Sequence, residues 1–198
     1  MPLNITLVGS RFFGAAVLDK LAALDVQLLQ VVAPAADDRL ALRAAALGIA
    51  LRVQSDSKHV PASEIADGTE LIVCAHTHAR IDADALARAR LGGIGYHPSL
   101  LPRHRGIAAV EWTIKSGDAI AGGSIYHLAE RMDAGAIAAQ DWVFVKPGET
   151  ARDLWERALA PLGIRLLTEV VARASATGSL PAQPQDEQFA TLAPRLGA

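Results

Sequence analysis

The chain has 198 residues, 51% of them apolar and 20% charged, with a formal net charge of −2. That length holds one full domain with its own core, and the near-neutral balance, without a basic stripe, excludes a general nucleic-acid surface. No run of about 18 apolar residues marks a transmembrane helix, and a single Cys74 excludes an internal disulfide or a cysteine-built zinc cluster.

Residues 5–9 (Ile-Thr-Leu-Val-Gly) read as a short buried strand ended by glycine. Ser10-Arg11-Phe12-Phe13-Gly14 then turns into a helix over 15–24. A second strand follows at 26–33, a helix at 39–47 closed by Gly48, and a short third strand at 49–53. Residues 70–75 form a fourth strand, 82–90 a helix and 93–96 a fifth strand. Strands alternating with helices predict an α/β fold with a mostly parallel sheet and helices on both faces. Beyond Gly106, a helix is expected at 107–116 and strands at 122–128 and 140–145. A long helix is expected over 149–176, kinked or divided at Pro161. The polar, Pro-rich tail over 178–198 reads as an extended surface arm. With no repeat or linker, residues 1–198 read as one domain. The N-terminus lacks a signal peptide's basic start and cleavage site, and Cys74, among Leu71, Ile72 and Val73, reads as a buried, inert thiol. The expectation is a soluble, cytoplasmic protein that binds no membrane, its oligomeric state open.

Four segments carry chemistry. Gly9 to Gly14 lies between a strand and a helix, where backbone N–H groups can hold an anion; a glycine turn needed only for packing explains it equally well. His97 follows an apolar strand and precedes Pro98, and open parallel sheets build their sites beyond strand carboxyl ends. An unperturbed pKa of ~6.5 suits its imidazole to proton transfer. Asp133, in Met132-Asp133-Ala134-Gly135, is a good turn former; functionally it is a carboxylate that orients the imidazole or takes up a proton. His76-Thr77-His78 puts two imidazoles on one face of an extended chain. With His97 they would supply three nitrogens for a zinc hydrolase, or else line an organic-ligand pocket. Arg103 and Arg105 suit carboxylate or phosphate, or sit in a solvated turn. Trp112, Trp142 and Trp155 read as core or rim packing.

The run Tyr96-His97-Pro98-Ser99-Leu100-Leu101-Pro102-Arg103-His104-Arg105-Gly106 continues through Trp112, Gly117-Asp118, Gly122-Gly123-Ser124-Ile125 and Asp133-Ala134-Gly135. This pattern resembles the folate-dependent formyltransferase family, above all the hydrolase domain of 10-formyltetrahydrofolate dehydrogenase, and also methionyl-tRNA and glycinamide ribonucleotide formyltransferases. The resemblance covers most of the chain. It implies a Rossmann-like formyltransferase fold that takes 10-formyltetrahydrofolate as formyl donor and needs no metal. His97 and Asp133 fall on the family's catalytic pair, and Ser124 on the residue that supports them. The pterin would rest on Cys74, His76, Thr77, His78 and Ile81 and on Ala129, Glu130, Arg131 and Met132. The acceptor would approach Ser10, Arg11, Phe12 and Phe13, and Arg103, Arg105 and Gly106.

One departure bears on the reaction. Where formyltransferases usually carry Asn, two residues before the histidine, this chain has Gly95. The lost amide donor is worth ~2.7–4 kcal/mol to a developing oxyanion. The dehydrogenase hydrolase domain also lacks Asn there. Expected activities are therefore formyl transfer to a small amine or release to water, against a non-catalytic folate-binding module or a three-histidine metal hydrolase. The absence of an appended tRNA-binding or aldehyde dehydrogenase module argues against methionyl-tRNA and against the full dehydrogenase reaction.

Overall fold

The computed structural model describes residues 2–197; Met1 and Ala198, the ends of the expected domain and arm, lie outside the described residues. In chain order the elements are β1 (Leu3–Gly9), α1 (Arg11–Leu21), β2 (Val26–Ala33), α2 (Arg39–Ala46), β3 (Leu51–Val53), β4 (His59–Val60), β5 (Leu71–Ala75), β6 (Arg80–Ile81), α3 (Ala83–Ala87), β7 (Gly93–His97), α4 (Ala109–Lys115), β8 (Ile120–His127), β9 (Ile137–Phe144), α5 (Ala151–Leu154) and α6 (Ala160–Thr177). The main sheet has seven strands in the order β3-β2-β1-β5-β7-β8-β9, and β4 and β6 form a second, two-stranded sheet. The β1–β2, β1–β5, β2–β3 and β5–β7 pairs are parallel, and β8–β9 is antiparallel. The expected α/β class with a mostly parallel sheet is what forms. Among the described residues no helix is long and apolar enough to cross a membrane.

The chain divides into two compact units. The first comprises the chain up to Gly95 with Thr168–Leu180, the second Tyr96–Leu167 with the chain from Pro181 onward. In the first, β1 and β5 are almost wholly buried, which explains their largely apolar sequence. The one polar side chain facing inward in β1, Thr6, shares a 2.7 Å hydrogen bond with the Thr69 hydroxyl. α1 buries Phe13, Val17, Leu18 and Leu21, the spacing of one helix face. It starts at Arg11, four residues earlier than expected, so most of the glycine turn is its first helical turn. α3 is shorter than the expected 82–90, because the bonds Ala89 N–H to Leu86 O and Gly92 N–H to Ala89 O tighten the chain into i→i+3 turns.

In the second unit β8 and β9 pair over Ile120–Phe144 at one end and Tyr126–Ile137 at the other. β9 begins three residues before the expected strand. The expected helix over 149–176 is interrupted: α5 passes into a π-helical turn, Trp155–Leu159, before α6 begins. Pro161 lacks the N–H that would continue the α ladder, and the irregular turn lies just ahead of it. The Tyr96 hydroxyl donates to the Leu159 carbonyl at 2.7 Å. A Cβ at Gly123 or Gly163 would overlap the Tyr96 ring, so both positions must be bare. The tail is extended but paired: Ile137 bridges Gln183, Arg105 bridges Leu192, and Glu187–Phe189 forms a 3-10 turn.

Candidate active site

β7 delivers His97 as its last residue, and the chain turns at once, with Ser99 N–H donating to His97 O at 2.9 Å. The Ser99 hydroxyl donates to Arg103 O at 2.6 Å, folding the loop back until the His104 carbonyl accepts from His97 Nε2 at 2.8 Å. A carbonyl only accepts, so Nε2 carries the proton and Nδ1 is the free ring nitrogen of the neutral form. Ser124 braces the same loop from β8. Its hydroxyl donates to Ser99 O at 2.6 Å and accepts from Leu101 N–H at 3.1 Å. The Gln140 side-chain amide donates to both Ser124 Oγ and Leu101 O at 2.8 Å.

Asp133 arrives on the β8–β9 connection in the left-handed region, φ 52. Asp tolerates that conformation better than most residues. The turn closes tightly: a Cβ at Gly135 would overlap the His127 carbonyl oxygen. Asp133 Oδ2 accepts from Gly106 N–H at 2.8 Å and stands 3.5 Å from His97 Nδ1. Both side chains are more than nine-tenths buried. Burial pushes the His97 pKa below its ordinary 6.5, outweighing the Asp133 carboxylate and the His104 carbonyl, which favour the charged ring. The free Nδ1 and the Asp133 carboxylate thus form a buried pair of acceptors that one proton can bridge.

His104, also left-handed at φ 56, is 5% exposed. Its Nε2 lies 2.7 Å from Asp118 Oδ2, and Arg103 donates to both Asp118 oxygens at 2.9 and 3.0 Å. Burial would raise the Asp118 pKa, but the hydrogen bonds from His104 and Arg103 prevail and hold it low. Arg105 is 4% exposed. Its guanidinium donates to Gln185 Oε1 and to both Glu187 oxygens. Of the three residues expected to meet the acceptor here, Arg103 and Arg105 are engaged inside the unit, and Gly106 uses its N–H on Asp133. Ala129, Glu130, Arg131 and Met132 are exposed, leading into the Asp133 turn.

In the first unit, Phe13 is core while Arg11 and Phe12 are exposed. The Ser10 hydroxyl donates to His76 O at 2.6 Å, and Arg11 N–H donates to the Asp38 carboxylate, which also caps α2 through Leu40 N–H. Arg11 and His76 are left-handed, both at φ 60. His76 is half-buried and packs edge-on against His78, which is exposed, with ring centroids 5.5 Å apart. Burial lowers the His76 pKa, with Arg11 and His78 adding to it and Asp38 opposing. Cys74 is buried and its thiol is pushed up to about 12 by desolvation, as expected of an inert thiol. Thr77 bonds Ala79 N–H, and Ile81 is buried in β6. Among the described residues no group of three or more His, Cys, Asp or Glu side chains is arranged to hold a metal ion.

Gln140 and Gln185 escape local reading altogether. Gln140 lies in a strand whose alternation signals only a half-buried edge, and Gln185 sits in a Pro-rich tail that composition marks as an arm. Only the contacts they make reveal them.

A family model for formyl transferase matches residues 8–171. The mitochondrial 10-formyltetrahydrofolate dehydrogenase of Mus musculus is 35% identical over 200 residues, covering 96% of this chain, which spans 22% of that protein. Glycinamide ribonucleotide transformylase 1 from Symbiobacterium toebii superposes with a TM-score of 0.77 at 21% identity, over 92% of this chain and 94% of that one. The N-formyltransferase from Helicobacter canadensis, solved with folinic acid and dTDP-3-aminofucose, superposes with a TM-score of 0.78 at 12% identity, over 98% of this chain and 71% of that one. The sequence match across the His97 and Asp133 loops, on the same Rossmann-like sheet, makes this chain a member of the formyl transferase family.

Proposed function

We propose that the chain moves the formyl group of 10-formyltetrahydrofolate to a small amine or to water, using His97 and Asp133. The observation that carries this reading is the buried pair of His97 Nδ1 and Asp133 Oδ2, 3.5 Å apart on two separately braced loops. The donor supplies a formamide carbon that becomes electrophilic when its oxygen accepts a hydrogen bond.

The chain's own residues then divide the proton work. Nε2–H is committed to His104 O, so the mobile proton belongs to the Nδ1 edge. In the protonated ring, Nδ1–H is a donor able to polarise a carbonyl oxygen. As the nucleophile's N or O bonds to the formyl carbon, the Asp133 carboxylate takes its proton, the shared geometry lets that proton pass to His97, and it is delivered to N10 of the departing tetrahydrofolate as the formyl C–N10 bond breaks. Gly106 N–H holds the carboxylate in place. Ser124 acts as a positioning residue, because its hydroxyl is spent on the loop that carries His97. Gly95 offers no side-chain donor, which leaves His97 the main oxyanion partner.

The test is to incubate the purified chain with 10-formyltetrahydrofolate, reading tetrahydrofolate release by absorbance with and without an amine panel. Release above blank, lost in Asp133→Asn, is expected. Wild type and Asp133→Asn both at the blank rate against every amine would overturn the proposal.

A further inference from the structure

We infer that Gln185, in the C-terminal tail, is a positioning residue that holds the Asp133 turn and so sets its carboxylate against His97, with Arg105 fixing the orientation of the Gln185 amide. This rests on the reading of His97 and Asp133 as the proton-handling pair.

Asp enters the left-handed region more readily than most non-glycine residues but still holds it against the more favourable alternatives only with help from its surroundings, and Asp133 sits at φ 52. Gln185 supplies that help. Its side-chain Nε2 donates to Asp133 O at 2.8 Å and to Gly135 O at 2.7 Å, so both amide hydrogens are spent on one turn. Its Oε1 accepts from Arg105 Nε at 3.1 Å and Nη2 at 2.6 Å. Because a guanidinium only donates and a carbonyl only accepts, this orientation of the amide is the one that satisfies all four bonds. The other side of the Arg105 guanidinium is held by Glu187, at 3.0 Å from Nη1 and 2.7 Å from Nη2.

Arg105 is fixed along its backbone as well. Its N–H donates to Thr191 O at 2.9 Å, and its carbonyl accepts from Ala193 N–H at 2.7 Å. The next residue, Gly106, gives its N–H to Asp133 Oδ2 at 2.8 Å. Asp133 is therefore gripped at both ends: the main chain by Gln185, the carboxylate by Gly106. Both grips meet at neighbouring residues, 105 and 106. A tail that merely covered apolar surface would not place an amide at two carbonyls of one strained turn while a buried arginine fixes that amide's orientation.

The expected consequence is specific to geometry. Without the Gln185 donors the turn is free to rotate, and the carboxylate withdraws from His97 Nδ1. A misplacement of about 1 Å can cost roughly 100-fold in rate.

The test uses the full chain and two variants, Gln185→Met and Gln185→Glu. The second keeps an oxygen for Arg105 but loses the donors, so one variant remains if the other does not fold. Circular dichroism and melting select the folded protein. The titration of the His97 ring is then followed by NMR, its signal assigned by absence in His97→Gln, beside kcat and KM for 10-formyltetrahydrofolate. In Gln185→Met the His97 midpoint is expected to fall toward that of Asp133→Asn, because the carboxylate that supports the protonated ring has moved. The double variant Gln185→Met/Asp133→Asn is expected to shift no further. kcat is expected to fall about 10- to 100-fold while KM stays within about twofold. A folded Gln185 variant with wild-type midpoint and wild-type kcat overturns the inference. If wild type releases no tetrahydrofolate yet Gln185→Met still shifts the midpoint as Asp133→Asn does, the positioning role stands and the proposed activity falls. If wild type turns over and the midpoint does not move, the positioning role falls alone.

Discussion

β5 runs out at Ala75, just before His76, and β7 ends at His97 itself, so two parallel strands deliver a histidine in the same way. The surroundings then part company. The His97 ring is buried, with one nitrogen on a carbonyl and the other facing a carboxylate. His76 is half-buried beside an exposed His78, and its main-chain oxygen accepts from the Ser10 hydroxyl. Among the described residues each unit has two left-handed non-glycine residues: Arg11 and His76 in the first, His104 and Asp133 in the second. Backbone strain and a strand-end histidine are common to both regions. What differs is enclosure: the His97 ring is buried against a carbonyl and a carboxylate while His76 is only half-buried, and enclosure sets a proton's energy.

The comparison makes its strongest demand at the His97–Asp133 pair. His97→Gln and Asp133→Asn should each lower tetrahydrofolate release about 10²- to 10⁴-fold, the span of a general acid–base contribution, in proteins that melt as wild type does. Next in size is the brace. Ser124→Ala leaves Ser99 O and Leu101 N–H without their buried partner and should cost about 1–3 kcal/mol, read by urea denaturation. A fall in kcat should accompany it, since the His97 loop loses its prop. An unchanged urea midpoint would mean the loop is held by other means.

A pH series sharpens the contrast further. Burial lowers the folded-state pKa of His97, so between that value and 6.5 the unfolded chain binds more protons than the folded one. The His97 contribution is therefore fully present above about pH 6.5, and stability falls as the pH drops from there toward the lowered folded value. His97→Gln should flatten that part of the profile in denaturant titrations at successive pH values. The smallest effect is expected in the first unit. His78→Gln, at an exposed position, should change stability by less than about 0.5 kcal/mol and leave tetrahydrofolate release far closer to wild type than His97→Gln does. A loss at His78 equal to that at His97 would break the distinction between the two strand ends.

Much of this was legible in the residues themselves. The apolar residues of β1 and β5 mark buried parallel strands, since a strand covered on both faces has little polar side to show. The π-helical turn just ahead of Pro161 follows from that proline's missing N–H. Boundaries are less legible: α1 starts at Arg11 and β9 at Ile137 because cap bonds and cross-strand pairing, which propensity does not contain, decide where an element ends. The likeness to a family marked His97, Asp133 and Ser124, but it also turned Arg105 outward to a substrate. In the folded chain the Arg105 guanidinium is buried against Gln185 and Glu187, partners 80 and 82 residues away.

The sequence alone determined the sheet class, the position of a histidine at a strand end, and an aspartate in a turn that only a few residue types tolerate. These are local properties, set by side-chain shape, hydrogen-bonding groups and period. Tertiary structure alone decided which ring nitrogen is free, which arginine is internal, and which glutamine grips the aspartate turn. Those outcomes depend on donors and acceptors brought together from distant parts of the chain, where burial makes every unpaired polar group costly and so selects one mutual arrangement.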